Sequence, residues 1–592
     1  MSKVLDEKLE KMSSEEQKMW ALRHTAEHVL HTALQNLYPK MLKAMGPATD
    51  EGYYHDFDLD EKITEADFER IEKEMQRIID MDLPVVQEYI DEKRANEIFE
   101  KNHYKMEWVN QIAQRGEKFS TYKIGDIDLD LCSGPHVKST GEVKAFKLLK
   151  VAGAYWPGDA KNKMLQRVYG PAFGSKEELD AYLNNLAEAE KRDHKKLARE
   201  LDLIVFSDLV GAGLPLYTPK GALLRSAVYN FSRELNTKIG YNETSLPNMN
   251  KAELFKVSGH YDKYKDDMFE VKSHYSKDEF FLKPMNCPQH CVLFGSRSRS
   301  YRDLPIRYSD FSVLYRDEKP GEINGILRSR AFTQDDGHCF CREDQIETEF
   351  SNVLSAIAEA LKAYGFKYWV RLSLHDPAHF EKYLGTPEIW ETAESKLRAV
   401  VEKAKVEYKE GLGEAAIYGP KLDFMAIDSI GREWQISTIQ LDLNMPGRFG
   451  LVYADSDGTE KTPIMIHRAI IGSERFIGIL IEHFAGAFPM WLSPVQVQLL
   501  PIADRHLDFA KQIQVSIIEN GIRVELDGRS EKLGAKIRDA QMQKVPYMII
   551  IGDKEIESKA VAVRKRDGTD LGSLPLQNFI DQVKIEIIDK TV

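Results

Sequence analysis

The stretch Tyr315 to Cys341, YRDEKPGEINGILRSRAFTQDDGHCFC, decides how this 592-residue chain is read. Tyr315-Arg316-Asp317-Glu318 reads as the end of one strand. A Gly/Pro-rich turn follows from Lys319 to Gly325, and then a second strand carries Arg328, Arg330 and Phe332 on alternate positions. Residues i, i+2 and i+4 of a strand share a face, so the two arginines and the ring are expected to point the same way. A guanidinium pair beside an aromatic ring suits a nucleotide, because Arg grips phosphate bidentately and the ring can stack on a base. A solvated basic hairpin would look similar, but Gln334, Asp335, Asp336 and His338 follow at once.

This segment resembles motif 2 of the class II aminoacyl-tRNA synthetases in its threonyl form. The resemblance continues through KPMNCPQH (283–290), YGPKLDF (418–424), QLDL (440–443), IHRAIIGSERFIGIL (466–480) and VPYMIIIGDKE (545–555). Several ordered blocks in one chain are far more specific than any one of them. The resemblance implies an antiparallel-sheet catalytic core of the class II kind, an N-terminal α+β editing domain and a C-terminal α/β anticodon-binding domain. The expected boundaries are a charged helical lead-in at 1–18, the editing domain with a linker helix at 19–192, the catalytic domain at 193–490 and the anticodon-binding domain at 491–592. The family usually carries a further small N-terminal domain that has no counterpart in this sequence, and aminoacylation is expected to survive without it.

Composition agrees with a multidomain globular protein: 43% hydrophobic and 30% charged residues. The most apolar stretch, near 477–492, is interrupted by Glu482, His483 and Pro489, so no membrane span is expected. The charged N-terminus has no signal-peptide core, and five cysteines make no disulfide framework, which places the chain in the cytoplasm. A net charge of −13 argues against broad polyanion binding while leaving room for local basic surfaces, such as Lys191-Arg192 with Lys195-Lys196, or Lys536 and Arg538. Periodicity suggests a helix over Trp20–Tyr38, a connector helix over Glu177–Leu203 and, beyond Trp491, strands and helices alternating as in a small parallel sheet.

Two metal arrangements compete. Local spacing favours four thiolates, Cys287-x3-Cys291 with Cys339-x-Cys341, as a closed structural zinc site. The resemblance implies instead one Zn²⁺ per subunit on Cys287, His338 and His467, with an open position for substrate. It further implies that Gln334, Asp336, Tyr418, Arg316 and Gln440 bind L-threonine. ATP, carried with Mg²⁺, would meet Arg316 at the α-phosphate, Glu318 and Phe332 at the adenine, Arg328 and Arg475 at the far phosphates, and Lys421 and Gln435. Against the family pattern, GSERF lacks one residue between Ser473 and Glu474, which could rotate Arg475, and Gln289 stands where Gly is usual.

Near the N-terminus, His24 and His28 share a helix face, and DLDLCSGPHV (128–137) supplies Asp130, Cys132 and His136. Such residues could ligate zinc; the resemblance implies instead a metal-free site, joined by Lys105, that hydrolyses mischarged seryl-tRNA(Thr). His31 is expected to pack or cap. By the same resemblance Glu555 and Arg564 match positions that touch anticodon bases of tRNA(Thr), while Ser530 and Lys544 sit at anticodon-binding positions where the family commonly has Asn and Arg. The region leading to Pro247 corresponds to motif 1, from which a homodimer is expected.

Overall fold

The computed structural model describes residues 9, 12–156, 162–471 and 474–592. It divides into two compact units, Met1–Ala187 and Glu188–Val592. Most of the expected lead-in therefore lies outside the described residues. From Ser14 onward it is part of the first long helix, Ser14–Leu37, which Ser13 opens as a capping box with Glu16.

In the first unit this helix packs Ala26, Val29, Leu30, Ala33 and Leu34 against the helix Phe68–Asp80 and Phe57 of a four-stranded antiparallel sheet. A second antiparallel sheet joins Val85–Ile90, Phe119–Ile124 and Asp128–Leu131. The long helix also buries His24, Glu27, His28 and His31, which is costly unless every polar group finds a partner.

The second unit is built on an eight-stranded sheet in the order Asn242–Glu243, Ile306–Asp310, Asp336–Cys341, Ile464–Ala469, Glu433–Asp442, Lys421–Ile427, Lys367–Leu374, Tyr408–Leu412. Only the two outermost pairings are parallel. The central strands alternate, apart from one register shift between Phe424 and Met425. Cys339, Leu422, Ile439, Leu441 and Ile466 enter the core beneath the helices Pro219–Lys238, Ile346–Ala363, Pro387–Lys403 and Glu474–His483. Each such buried side chain stabilises by about 1.5–3 kcal/mol. The residues between them, His338, Lys421, Gln440 and His467, are thereby turned to the opposite face.

Three sequence expectations are corrected. The connector is two helices, Lys176–Lys191 and His194–Glu200, because Asp193 caps the second through the Lys196 amide. The second strand of the motif 2 hairpin is only Ala331–Thr333, paired with Val313–Tyr315. Arg328 and Arg330 lie in the loop before it, where Gly213 takes the Arg330 amide and bends the chain away from the ladder. The C-terminal sheet is mixed: Val524–Leu526, Val497–Pro501 and Tyr547–Ile551 run parallel, and Ala560–Lys565 and Asp570–Pro575 close it antiparallel.

Candidate active site

One row across the large sheet gathers polar and ionisable side chains. In register, Tyr308 faces His338, His338 faces His467, His467 faces Gln440, Gln440 faces Lys421 and Lys421 faces Ser373. Cys287 arrives from outside the sheet, as the first residue of the helix Cys287–Gly295. Its sulfur and one nitrogen from each of His338 and His467 all lie within 4.8 Å of one another, in a buried setting. His338 Nε2 meets His467 Nδ1 at 3.1 Å, while His467 Nε2 donates to Asp442 at 2.9 Å. Two ring nitrogens this close repel through their lone pairs unless a proton or a metal ion lies between them. Asp336 sits 3.8 Å from His338 Nε2, and the Tyr418 ring stacks on His467 at 4.8 Å. Burial raises the Asp336 carboxyl above its ordinary value.

The four-thiolate arrangement is ruled out by strand alternation. Cys339 and Cys341 point into the helix-covered core, whereas Cys287 and Cys291 pack on the other side with Phe340. Cys339 donates to Glu349 and Cys291 lies against Met465. Gln289, the departure from family pattern, donates to the Pro247 carbonyl and to Asn250 and so pins that segment.

The nucleotide-type residues gather around the hairpin. The Arg316 guanidinium lies 5.1 Å from the Phe332 ring. Arg328 bonds Glu318 at 2.9 Å and Glu322 at 2.6 Å, and Arg330 is spent on the Glu318 carbonyl. The strand reading required Arg328 and Arg330 beside the ring; the arginine found there is Arg316. Gly472 and Ser473, where the chain departs from the family pattern, lie outside the described residues. The helix starts at Glu474, and Arg475, partly desolvated and facing the charge of Arg328, is shifted below its ordinary value.

Lys421 and Gln435 meet on Asp423, which sequence reasoning missed. This buried carboxylate accepts from Lys421 (2.7 Å), Gln435 (2.8 Å), Thr438 (3.0 Å), Ser373 (2.7 Å) and Arg371 (3.2 Å). Beneath the hairpin, buried Asp335 takes Arg468 at 2.6 Å and Asn236 at 2.9 Å, and Ser232 also donates to it. A Cβ at Gly337 would meet the Arg468 guanidinium at 2.4 Å, so only glycine fits there.

In the first unit, Cys132 Sγ lies 3.5 Å from His24 Nε2 and 3.3 Å from His136 Nε2, with His28 beside them. Lys105 pairs with Asp130 at 2.7 Å. All six expected residues thus occupy this region. His24 Nδ1 donates to the Pro135 carbonyl; His136 Nδ1 bonds Thr25, whose hydroxyl is itself committed to the Ala21 carbonyl. Both Nε2 lone pairs therefore converge on the sulfur. Burial pushes the Cys132 thiol up and the three imidazoles down, so neutral forms prevail. Beneath lies a layer that sequence reasoning did not find. His31 bridges Glu27 (3.3 Å) and Asp128 (2.8 Å), Lys43 also holds Asp128, and His55 holds Glu27 at 2.5 Å. His31 is thus an ionic bridge rather than packing.

Of the four anticodon-type residues only Arg564 lies on a strand of the C-terminal sheet; Ser530 and Lys544 lie between elements, and Glu555 is on the helix Asp553–Ser558. Ser530 is exposed; Lys544, in left-handed backbone, lines a cavity of about 50 Å³ with Leu201, Lys220 and Gly486; Glu555 accepts the Gly552 amide; Arg564 lies on the strand Ala560–Lys565. Lys536 is no phosphate contact, since it is buried with its ammonium on the Pro501 and Asp527 carbonyls.

Comparison with known proteins shows the family of the chain. Residues 269–484 match the tRNA synthetase class II core domain (G, H, P, S and T), 496–586 the anticodon binding domain, and 119–169 the threonyl and alanyl tRNA synthetase second additional domain. A threonine–tRNA ligase of Acetivibrio thermocellus is 46% identical over 574 residues, covering 96% of this chain and 89% of that one. The chain belongs to the threonyl-tRNA synthetase family. A second relative, from Clostridium botulinum strain Langeland, is 48% identical over 575 residues, 97% of this chain and 89% of that protein. The RNA binding domain of threonyl-tRNA synthetase from Cryptosporidium parvum superposes with a TM-score of 0.64 at 37% identity, covering 67% of this chain and 98% of that structure. A prolyl-tRNA synthetase of the same organism shares the fold, with a TM-score of 0.52 at 17% identity over 67% of this chain and 75% of that one. The class II fold expected from the sequence is borne out. Among the described residues no helix is long and apolar enough to cross a membrane.

Proposed function

We propose that this protein activates L-threonine with ATP, transfers it to tRNA(Thr), and hydrolyses seryl-tRNA(Thr) made in error. Family membership carries the reaction, and the row from His338 to Lys421 carries the assignment of residues to it. The threonine carboxylate attacks the α-phosphorus of ATP, pyrophosphate leaves, and a hydroxyl of the terminal tRNA ribose then attacks the acyl carbon as AMP leaves. Neither step needs a protein nucleophile, so positioning and charge stabilisation are what the chain supplies. Arg316 holds the α-phosphate and the carboxylate; Glu318 and Phe332 hold the adenine; Arg328 and Arg475 hold the far phosphates, which Mg²⁺ accompanies; Lys421 and Gln435 add contacts from the sheet. The Arg328–Glu318 bond must open when both engage ATP.

Cys287, His338 and His467 fit one Zn²⁺: three soft or borderline donors within 4.8 Å of one another, with the far side of His467 held by a carboxylate. Bound there, the ion would supply a Lewis-acidic open position for the α-amino and β-hydroxyl groups, which valine cannot satisfy. Asp336 accepts from the β-hydroxyl, and Gln334, Tyr418 and Gln440 surround the amino end. Serine satisfies the same groups, and one missing methyl discriminates by only about 1–3 kcal/mol.

A second, hydrolytic site answers that leak. The unactivated Cys132 thiol argues for water as nucleophile, with a neutral imidazole as base and Lys105–Asp130 orienting the ester. His24, His28, Cys132 and His136 also have donor atoms within 4.8 Å of one another, so a cation there is the competing reading. The proposed domains are editing with its linker helix over 19–192, catalysis over 193–490 and anticodon reading, by Ser530, Lys544, Glu555 and Arg564, over 491–592; the family matches fall within them. A cytoplasmic homodimer completes the proposal.

Threonine-dependent pyrophosphate exchange combined with zinc analysis tests the first half. Exchange with threonine and one zinc per chain support it; exchange with another amino acid alone overturns it. Sedimentation at micromolar concentration tests the dimer, and a monomer refutes it.

A further inference from the structure

We propose that His290 and Thr244 form a relay that holds His338 in the one tautomer able to bind a metal through Nε2. This rests on the zinc reading above and extends it to two residues that touch neither substrate nor ion.

His338 is buried, with Nε2 turned toward Nδ1 of His467, and the three side chains Cys287, His338 and His467 each offer a donor atom within 4.8 Å of the others. To offer a lone pair there, a neutral imidazole must carry its proton on Nδ1. That Nδ1 lies 2.6 Å from Nδ1 of His290, itself fully buried. His290 must then accept at Nδ1 and carry its own proton on Nε2. At 2.9 Å from Nε2 stands the hydroxyl oxygen of Thr244, and that hydroxyl points its proton at the Ser309 carbonyl, 3.0 Å away. Every donor finds an acceptor when the chain runs His338 to His290 to Thr244 to Ser309. Run the other way, the proton would sit on His338 Nε2 and block the metal-binding position.

The backbone explains why these groups meet. Asn242–Glu243 pairs in parallel with Ile306–Asp310, matching Glu243 to Ser309, so Thr244 lands on the Ser309 carbonyl with its amide at 2.7 Å and its hydroxyl alongside. A carbonyl oxygen has two lone pairs and accepts both. His290 lies three residues beyond Cys287 on the same short helix, hence on the same face. One helix therefore provides a proposed ligand and, one turn on, the support for another. His467 has its counterpart support in Asp442.

The test is zinc affinity, measured by chelator competition on full-length wild type and four variants, with circular dichroism to confirm folding. His290→Phe removes the acceptor and Thr244→Val removes the anchor, so both should bind zinc about 10–100-fold more weakly. His290→Gln can accept from His338 and donate to Thr244, and Thr244→Ser keeps the hydroxyl; both should retain most of the affinity. Wild-type affinity in folded His290→Phe and Thr244→Val overturns the relay, as does a His290→Gln that falls as far as His290→Phe. Should His290→Phe fail to fold, the Thr244→Val and Thr244→Ser pair decides. A wild type that takes up no zinc refutes the zinc reading itself, a distinguishable result.

Discussion

Asp442 accepts the Nε2 proton of His467 at 2.9 Å, and that single contact determines which nitrogen of the ring faces His338. The carboxylate is held by the amides of Asn444 and Met445, so it has little freedom to turn away. Replacing Asp442 by Asn should lower zinc affinity about 10–100-fold. KM for threonine should rise in parallel while KM for ATP stays unchanged. Metal analysis beside pyrophosphate exchange checks this, and an unchanged metal content would count against the site.

Cys132→Ala should leave threonylation intact and slow deacylation of seryl-tRNA(Thr) by about 10²–10⁴-fold, the usual span for a disturbed general-base site. If the editing centre is metal-free, the variant should hold as much zinc as the parent. A deacylation assay with zinc analysis of both proteins decides the two points together.

Five donors converge on Asp423, two of them from residues proposed to touch ATP. Asp423→Ala leaves those donors without their common acceptor, at a cost of about 1–3 kcal/mol for each buried group left unsatisfied. The expected result is a lower melting temperature and a raised KM for ATP, with KM for threonine less affected. Asp423→Asn should fall between the two.

His31 gives the first unit a pH signature. Burial and Lys43 oppose its charge, but Asp128 and Glu27 on either side outweigh them and raise it to about 9. An ordinary histidine titrates near 6.5 when unfolded. The stabilisation is therefore complete below about pH 6.5 and is lost as pH rises through 9, at most on the order of 3 kcal/mol. At the acid end the sign reverses. Burial works against the Glu27 carboxylate, yet His31 and His55 hold it below its ordinary value, so its contribution is lost as pH falls below the unfolded carboxylate range. The thermal stability of the wild type should fall between pH 6.5 and 9, and His31→Gln should flatten that limb. Parallel curves for the two proteins would refute the bridge.

Much of the site was legible because the ordered motif blocks resemble those of the family, which named Phe332, Gln334, Asp336 and His338. The structure seats the residues between them, Thr333, Asp335 and Gly337, against Arg225, Arg468 and helix Pro219–Lys238. Strand alternation separates Cys339 and Cys341 from Cys287, which spacing in the sequence had made look like partners. Arg328 and Arg330 were misread because the alternation was extended past the point where the Gly213 carbonyl bends the chain.

Sequence by itself determined the family, the class II fold and the identity of the side chains that meet at both centres, because motif order and strand period are local properties of the chain. Only the tertiary structure decided which partner each buried histidine nitrogen meets, that His31 bridges two acids, and that Asp423, Asp442, His290 and Thr244 contact the side chains proposed for the chemistry or their supports. The reason is physical: a buried polar atom is satisfied by whatever the packing brings within about 3 Å. Those partners come from segments 25 residues away for Asp442 and His467, 48 for His290 and His338, and 97 for His31 and Asp128. No local pattern records a contact made over such a separation.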